Sequence, residues 1–342
     1  MERSGSTARP GGEAVPAREP DRAHWLELLR RNVGFDAPEA WVDYARAHHF
    51  ERIAAEPLRA CPSCGQAASR EIGQYVYYST LFRLRRCAGC GLAYADARLD
   101  PEVVRGHFES AYKDDAYFCE RRAAIFAHLA GLIDARARRG ARVLDVGGAK
   151  GHLLDAVRRR RPDLALVLND LSEAACEAAS REFGLRTICG GLATLEALGE
   201  SFDVVVMSDV LYYEPDLPAV WRLLPRLVAP GGSVLIRVPN RLAWIRVAEG
   251  LRRAWRRVGG GRATRIRFYN PEHLYSFSRG FLLERLRAIG FTDVRAWPSP
   301  LLSRGPSDLR VRTLHLAASW IHRATGRVVS PAMVVEGRRP EA

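Results

Sequence analysis

One run of strand, glycine loop, helix and second strand constrains the fold of this chain more than any other feature. Residues 142–146, RVLDV, have the pattern of a buried strand, and GGAKG at 147–151 is a glycine loop. Residues 152–161 then predict an amphipathic helix, and a second apolar strand at 164–170 ends on Asp170. This order predicts a βαβ unit within a doubly wound α/β sheet.

The same unit has the layout of a nucleoside site. Glycines at a strand-to-helix turn let the backbone approach a ligand closely, and an acid that ends the second strand can accept hydrogen bonds from both ribose hydroxyls. Asp170 follows Gly147 at close to the expected offset of about 20 residues. The loop lacks the G-x-G-x-x-G spacing with which dinucleotide enzymes hold a pyrophosphate, and Asp145 stands just ahead of it. We therefore expect a nucleoside ligand without a pyrophosphate.

The pattern from Asp145 to Gly151 resembles motif I of the class I S-adenosylmethionine-dependent methyltransferases. Residues 197–240 are similar to the family's fourth strand, the next helix and the Pro-Gly-Gly turn before the fifth strand. Residues 273–297 resemble the following helix and sixth strand, and 331–340 resemble the last strand. The resemblance implies a Rossmann-like, doubly wound α/β sheet of seven strands with the last antiparallel. It also implies an enzyme that uses S-adenosyl-L-methionine as cofactor.

The resemblance further implies a set of cofactor-binding residues along the first four strands. These are Asp145, Gly147, Gly148, Gly151, Asp170, Leu171, Leu192 and Ser208. The chain departs from the family pattern in the glycine loop, where Ala149 stands at the middle glycine, and after the third strand, where Gly191 and Leu192 offer no acid for the adenine amine. Adenine would then be held by backbone and packing.

Methyl transfer from a sulfonium mainly requires an aligned acceptor whose nucleophile can lose its proton. Any base should lie where the carboxyl ends of the strands meet the cofactor. By position the catalytic candidates are Tyr212, Tyr213 and His273, with Glu214 and Asn240 nearby. The two tyrosines stand where many relatives have Glu-His, and we expect them to shape the pocket. A buried or surface histidine without a catalytic role is the alternative for His273.

Four of the seven cysteines form two C-x-x-C pairs, each followed by a glycine. The four are Cys61, Cys64, Cys87 and Cys90. Such turns point thiolates at one tetrahedral ion, so the pairs predict a structural Zn²⁺ in a zinc ribbon at residues 59–98. Two disulfides would need an oxidising compartment, and a redox site would need only one pair. The remaining three are interpreted as ordinary core residues: Cys119, Cys176 and Cys189.

Composition and patterning divide the rest of the chain. The expected order is a disordered tail at 1–22, a helical lead-in at 23–58, the zinc ribbon, linker helices at 99–139 and a methyltransferase domain at 140–340 with a basic insertion at 241–267. We interpret an amphipathic helix around 307–326 as packed on the domain. The start lacks a secretory signal, so the cytoplasm is the expected compartment. Bacterial methyltransferases of polysaccharide and natural-product pathways, including sugar C-methyltransferases with a four-cysteine zinc domain, are similar in layout.

The basic residues of the chain are evidence about its binding partners. The net charge is +13, yet 50 of the 52 basic residues are arginine, a skew better explained by codon bias than by binding. Nine arginines and an apolar stripe occupy 241–267. This segment is either a packed helix, a lid over a phosphorylated or carrier-linked acceptor, or a peripheral membrane contact through 241–258.

The expected function is methyl transfer to a small-molecule acceptor, such as a sugar, a nucleotide-linked compound or a natural-product intermediate. One alternative is an RNA or tRNA base methyltransferase that grips nucleic acid with the zinc ribbon and arginines, although a nucleic-acid partner is not favoured. The other is an inactive methyltransferase fold that acts as a binding module. The sequence leaves the acceptor, the methylated atom and the oligomeric state open.

Overall fold

The computed structural model describes residues 55–77, 80–99, 117–241, 273–303 and 308–341. The predicted tail, nearly all of the helical lead-in, all but one residue of the basic insertion and the first part of the linker lie outside the described residues. No helix among the described residues combines the length and apolar character that crossing a membrane requires.

The described residues form thirteen strands and seven α-helices. The strands are β1 (Ala55–Pro57), β2 (Ser69–Tyr77), β3 (Thr80–Cys87), β4 (Ala93–Ala95), β5 (Ala97–Leu99), β6 (Arg142–Val146), β7 (Ala165–Asp170), β8 (Arg186–Cys189), β9 (Phe202–Ser208), β10 (Val228–Pro239), β11 (Tyr275–Ser276), β12 (Thr292–Pro298) and β13 (Ala332–Arg338). The helices are α1 (Ala123–Asp134), α2 (His152–Arg160), α3 (Glu173–Phe183), α4 (Leu192–Leu198), α5 (Leu217–Leu227), α6 (Arg279–Ala288) and α7 (Leu309–Thr325).

Seven strands form the central sheet in the order β12-β13-β10-β9-β6-β7-β8. Strands β6 to β10 pair in parallel, whereas β13 runs antiparallel to both of its neighbours, β10 and β12. The expected doubly wound α/β sheet of seven strands with the last antiparallel is confirmed. The strand order reverses between β6 and β9, which is where such sheets bind ligands at their carboxyl edge.

Helices cover both faces of the sheet because its inner strands are apolar on both sides. Alternate residues of β6 illustrate this, since Val143 contributes to the core beneath α1, α2 and α3, and Leu144 to the core beneath α4, α5 and α6. Both side chains are completely buried. The result is a three-layer sandwich that presents the carboxyl ends of β6, β7 and β9 at one edge.

A second sheet, in the order β11-β4-β3-β2, contains the cysteine-rich residues. Strands β2 and β3 form the hairpin expected for a zinc ribbon. Strand β11 follows β10 by more than thirty residues, yet Tyr275 pairs with Tyr94 of β4. Tyr94 and Tyr275 are both buried in the core cluster shared with α5 and α6. The cysteine-rich module therefore shares a hydrophobic core with the catalytic domain and is not a separate domain.

The amphipathic helix expected around 307–326 is present as α7, but the interpretation of it as a packed helix is largely wrong. Only Val311 and Ala318 are buried, and most of its large apolar side chains face solvent. The helix touches the domain at β12, an edge strand of the central sheet, so only one narrow side of it meets the core.

Candidate cofactor and acceptor site

The loop after β6 is built so that only glycine fits at its start. Gly147 has φ +68°, and a Cβ there would lie 2.5 Å from Cγ2 of Val210. A Cβ on Gly148 would lie 2.8 Å from Oδ2 of Asp145. The amides of both glycines donate to the carbonyl of Asn169, at 2.8 and 3.0 Å. The backbone is thereby held close to the end of β7, and Gly151 begins α2 as its N-cap. The close approach of this loop to a ligand stays a prediction.

Asp170 binds the glycine loop directly. Its Oδ2 accepts the amide of Ala149 at 2.8 Å, and its Oδ1 accepts the amide of Ser172 at 3.0 Å. The side chain is buried at the carboxyl end of β7. A carboxylate offers about four acceptor sites, so binding these amides is compatible with accepting a hydrogen bond from a ribose. The sequence predicted the ribose role, which stays a prediction, and gave no sign that Asp170 also positions the loop.

Asp145 is the buried acid beneath that loop. It is 2% exposed, and its Oδ1 makes no hydrogen bond to the described residues. Burial, with a smaller contribution from the Asp170 charge, raises the pKa of Asp145 to about 8, although the nearby Arg122 guanidinium acts in the opposite direction. A buried carboxyl with an unused oxygen is suited to a cationic hydrogen-bond donor. The ammonium of the methionine part of S-adenosylmethionine is such a donor.

Two arginines converge on an acid at the end of β9. Arg122 Nη2 donates to Asp209 Oδ2 at 2.8 Å and to the hydroxyl of Ser208 at 3.1 Å. Arg237, buried in β10, donates to the same oxygen of Asp209 and is also held by Ser299. The cluster carries two positive charges and one negative charge at the edge where a ligand would lie.

Sequence reasoning missed the Arg122–Asp209–Arg237 cluster. A usable signal was present, because Arg237 interrupts the otherwise apolar run VLIRVP of a central strand, and a buried arginine requires a partner. Asp209 also adopts φ +60°, a left-handed conformation that only the folded backbone reveals.

The remaining cofactor-binding candidates lie along the same edge. Ser208 ends β9, and its hydroxyl accepts from Arg122. Leu192 begins α4 and packs, half-buried, on the core. The side chain of Leu171 comes within 3.9 Å of the Cβ position of Gly191. These contacts bring Leu171 next to the residue before α4, which is compatible with the predicted adenine contact.

The catalytic candidates form one aromatic cluster. The rings of Tyr212 and His273 stack with centroids 3.6 Å apart, and Tyr213 lies 4.6 Å from Tyr212 and 5.5 Å from His273. Burial raises the pKa of Tyr212 well above 10, so its hydroxyl stays protonated. Burial and then the Arg241 charge lower the pKa of His273 well below 6.5, so its ring stays neutral.

Two further candidates by position have other contacts. The side-chain amide of Asn240 donates to the carbonyls of Val328 and Ser330, at 3.0 and 3.1 Å, and is fully buried. Asn240 therefore joins the end of β10 to the segment before β13 and has a structural role. Glu214 follows the turn that carries Tyr213, and burial raises the pKa of its carboxyl.

The two C-x-x-C pairs converge as predicted. The four sulfur atoms, from Cys61, Cys64, Cys87 and Cys90, lie within 4.8 Å of one another. The glycines after the pairs donate their amides back to the first cysteine of each pair, Gly65 to Cys61 at 2.9 Å and Gly91 to Cys87 at 3.2 Å. Four sulfurs at one point, two of them in buried side chains, are a donor set that suits Zn²⁺.

Of the three cysteines interpreted as core residues, two are not in the core: Cys119 and Cys189 are exposed. Cys176 is buried in α3, as expected, and its sulfur contacts that of Cys189 at the end of β8. His152, at the start of α2, packs between Phe118 and Phe183, with ring centroids 5.2 and 5.3 Å away. The sulfur contact and the ring contacts both join segments that are distant in sequence.

Comparison with known proteins finds methyltransferases among the relatives of this chain. A family model described as a methyltransferase domain matches residues 117–296, just over half of the chain. A ubiquinone biosynthesis O-methyltransferase of Methylococcus capsulatus is 30% identical over 166 residues, which are 45% of this chain and 69% of that protein. The same enzyme of Pseudomonas putida is 31% identical over 169 residues, 47% of this chain and 72% of its own length. A SAM dependent methyltransferase from Archaeoglobus fulgidus, known as a crystal structure, aligns with a TM-score of 0.43 and 14% identity over 70% of this chain and all of its own.

The family match includes the glycine loop, Asp145, Asp170 and the turn after β9. By that match and by the two relatives, the protein belongs to the class I S-adenosylmethionine-dependent methyltransferases.

Proposed function

We propose that the protein transfers the methyl group of S-adenosylmethionine to a hydroxyl oxygen of a small molecule. The observation that carries the proposal is the buried Asp145 carboxyl, whose Oδ1 has no hydrogen-bond donor among the described residues. The curated relatives in Methylococcus capsulatus and Pseudomonas putida are O-methyltransferases by name, which supports oxygen as the methylated atom. We propose the acceptor classes that the sequence indicates: a sugar, a nucleotide-linked compound or a natural-product intermediate. The acceptor would be phosphorylated or linked to a carrier.

The described residues suit the charged parts of the cofactor. Asp145 would pair with its ammonium, and the Arg122 guanidinium, beside Ser208 and Asp209, would attract its carboxylate. Asp170 would accept the ribose hydroxyls with its remaining acceptor capacity. The glycine loop allows close approach, because its backbone carries no Cβ at Gly147 or Gly148.

The bound cofactor supplies an electrophilic methyl group, so the protein has only to align the acceptor and take up its proton. Between His273 and Tyr212, His273 is the one that can accept a proton, because its imidazole is neutral and the Tyr212 hydroxyl remains protonated. We propose His273 as the general base. We propose Tyr212 and Tyr213 as residues that hold its ring and shape the pocket, as the ring contacts indicate.

We also propose that the four cysteines hold one structural Zn²⁺. A complete set of four thiolates leaves no coordination position for water, so such an ion would not activate a nucleophile. Its effect would be on stability, because the buried Cys61 and Cys87 belong to the same core cluster as Tyr275 and α6. The zinc-binding module would then stabilise the segment that contains His273, which lies two positions before Tyr275.

The described arginines do not support the nucleic-acid alternative. Several of them form ion pairs with acids of the same chain. Arg136 pairs with Glu336, Arg142 and Arg186 pair with Glu200, and Arg158 and Arg159 pair with Asp155. A surface that grips phosphates needs unpaired cations beside the cofactor edge.

Calorimetric titration with S-adenosylmethionine and S-adenosylhomocysteine tests the proposal, followed by transfer of a labelled methyl group to a panel of phenols, sugars and nucleotide sugars. We expect both cofactor forms to bind and label to reach a hydroxyl compound. Binding of neither form would support the inactive binding module. Label in tRNA with none in the panel would establish the nucleic-acid alternative.

A further inference from the structure

Helix α7 carries an exposed apolar stripe. Leu309, Leu316 and Trp320 are 69%, 65% and 74% exposed. At 100° per residue these three positions fall within an arc of about 40° on one side of the helix. Isolated exposed leucines are common on protein surfaces, but a tryptophan that is about three-quarters exposed and aligned with two exposed leucines makes a patch.

The stripe is bordered by positive charge. Arg312 and Arg323 lie about 20° to 40° beyond its edge on one side, and Arg310 lies about 80° beyond it on the other. All three are exposed, and none forms an ion pair with another residue in the part of the chain that the structure describes. The helix itself contains no aspartate or glutamate between its first and last residue.

The opposite side of α7 fixes its orientation. Val311 and Ala318 are buried, and the Asp308 side chain caps the first turn by accepting the amide of Arg310 at 3.1 Å. The helix therefore lies along the surface of the domain beside β12, with its apolar stripe pointing outward.

We propose that α7 docks the enzyme on the surface of an anionic phospholipid bilayer. A helix of low net hydrophobicity with tryptophan and leucine on one line and arginines beside it is suited to the boundary between headgroups and acyl chains. The arginines would be attracted to anionic headgroups, and the stripe would enter the interface. This inference is independent of the proposed methyl transfer, because no α7 residue belongs to the cofactor site.

Charge argues against two other occupants. A second copy placed symmetrically on α7 would face its own positive helix, and like charges would oppose the contact. Residues 242–272 of the same chain carry eight arginines and two glutamates, so this segment has the same sign as α7. An anionic surface is the partner of opposite charge.

Flotation of the full chain with lipid vesicles tests the proposal. The vesicles are phosphatidylcholine alone or phosphatidylcholine with one third phosphatidylglycerol, at low and at high NaCl. We expect at least about fivefold more protein on the anionic vesicles at low salt, and a loss of that excess at high salt. Leu316→Ser with Trp320→Ser should reduce binding to the level of neutral vesicles. Arg312→Gln with Arg323→Gln should remove most of the preference for anionic lipid.

Matched variants separate α7 from other surfaces. Ile72→Ser removes another exposed apolar side chain, 38% exposed on β2, and should leave vesicle binding unchanged. Leu251→Ser with Trp255→Ser alters the apolar stripe that the sequence predicts for the basic insertion. Binding that is lost with this pair and retained with Leu316→Ser and Trp320→Ser would overturn the proposal.

Measurements of oligomeric state and of folding complete the test. A wild type that fails to float, or that floats equally on both lipids, would overturn the proposal. A wild type whose sedimentation changes on Trp320→Ser without any vesicle binding would assign the stripe to a second copy instead. Calorimetric cofactor binding by the α7 and Ile72 variants shows that they are folded, because those substituted side chains are exposed and outside the site.

Discussion

The imidazole ring of His273 lies flat against the phenol ring of Tyr212, with 3.6 Å between the ring centroids and 17° between the planes. Both rings are buried, and burial acts on them in opposite directions: it lowers the pKa of His273 and raises the pKa of Tyr212. Near neutral pH the pair therefore holds a proton acceptor on the histidine and a proton on the tyrosine.

His273→Phe should lower kcat by about 10²-fold or more, because the phenylalanine ring keeps the stack and lacks the nitrogen that accepts the proton. The dissociation constant of the cofactor should stay within about twofold. Wild-type kcat should also show no ionisation near pH 6.5, since the lowered pKa moves the acid limb to lower pH. Steady-state kinetics across pH 6 to 8 measures the loss of kcat and the pH dependence of kcat.

His128→Phe is a matched control for this substitution. His128 is a half-buried histidine, whose pKa burial lowers to about 4 and whose ring meets His315 edge-on at 5.1 Å. It lies in α1, outside the aromatic cluster, so kcat should change by less than about threefold. Equal losses in the two variants would show that His273 acts through packing alone.

Asp145→Asn should abolish a proton linkage to cofactor binding. Burial raises the pKa of Asp145 to about 8 in the free protein, and pairing with an ammonium requires the ionised form. Wild type should therefore release close to one proton on binding S-adenosylmethionine at pH 7, and affinity should rise up to about tenfold per pH unit between pH 6 and 7. Titrations in buffers of different ionisation enthalpy count the protons. An unchanged proton count in the asparagine variant would contradict the pairing.

Asp170→Ala should weaken cofactor binding by about 1.5 to 3 kcal/mol, the range for hydrogen bonds to a charged group. It should also lower the stability, because the amides of Ala149 and Ser172 lose their acceptor. Asp163→Ala is the matched control, since Asp163 also accepts a backbone amide, from Gly140 at 3.1 Å, but precedes β7 at the opposite edge of the sheet. Calorimetry should find normal affinity in that control. Equal losses of affinity in both variants would mean that Asp170 acts only through stability.

Ala149→Gly should raise the unfolding free energy by up to about 1 kcal/mol. Ala149 has φ +52°, and the left-handed region costs a non-glycine residue about 1–2 kcal/mol, partly offset by the greater unfolded-state entropy of glycine. Ala156→Gly, inside α2, should instead lower the stability by about 1 kcal/mol. Urea unfolding of both variants measures the difference. Destabilisation of the same size in both glycine variants would show that the left-handed conformation of Ala149 does not lower the free energy of unfolding.

Cys64→Ser should reduce bound zinc to well below one ion per chain and lower the thermal midpoint of the catalytic domain. The coupling is expected because β4 pairs with β11 and both belong to the common core. Cys119→Ser, an exposed cysteine outside the cluster, should leave both values unchanged. Metal analysis and calorimetric unfolding provide the readouts. Wild-type protein with much less than one zinc per chain would refute the metal site.

The sequence by itself determined the order of the elements in the catalytic domain, the glycine loop and the meeting of four cysteines. These features are local, since strand and helix periods, a glycine turn and C-x-x-C spacing are all read within a few residues. The antiparallel β13 followed from the family resemblance and agrees with the structure. The Pro-Gly-Gly sequence, expected as a turn before the fifth strand, lies inside β10, where the pairing with β9 shifts register between Val228 and Ser233.

Only the tertiary structure decided which side chains share an environment. Arg122, Asp209 and Arg237 come from three separate elements, so no window of sequence shows that they meet. The same reason explains the stack of His273 on Tyr212, the pairing of Tyr275 with Tyr94 and the exposure of Trp320. Periodicity predicts that a helix has an apolar side, but whether that side is covered depends on the neighbours that the fold places against it.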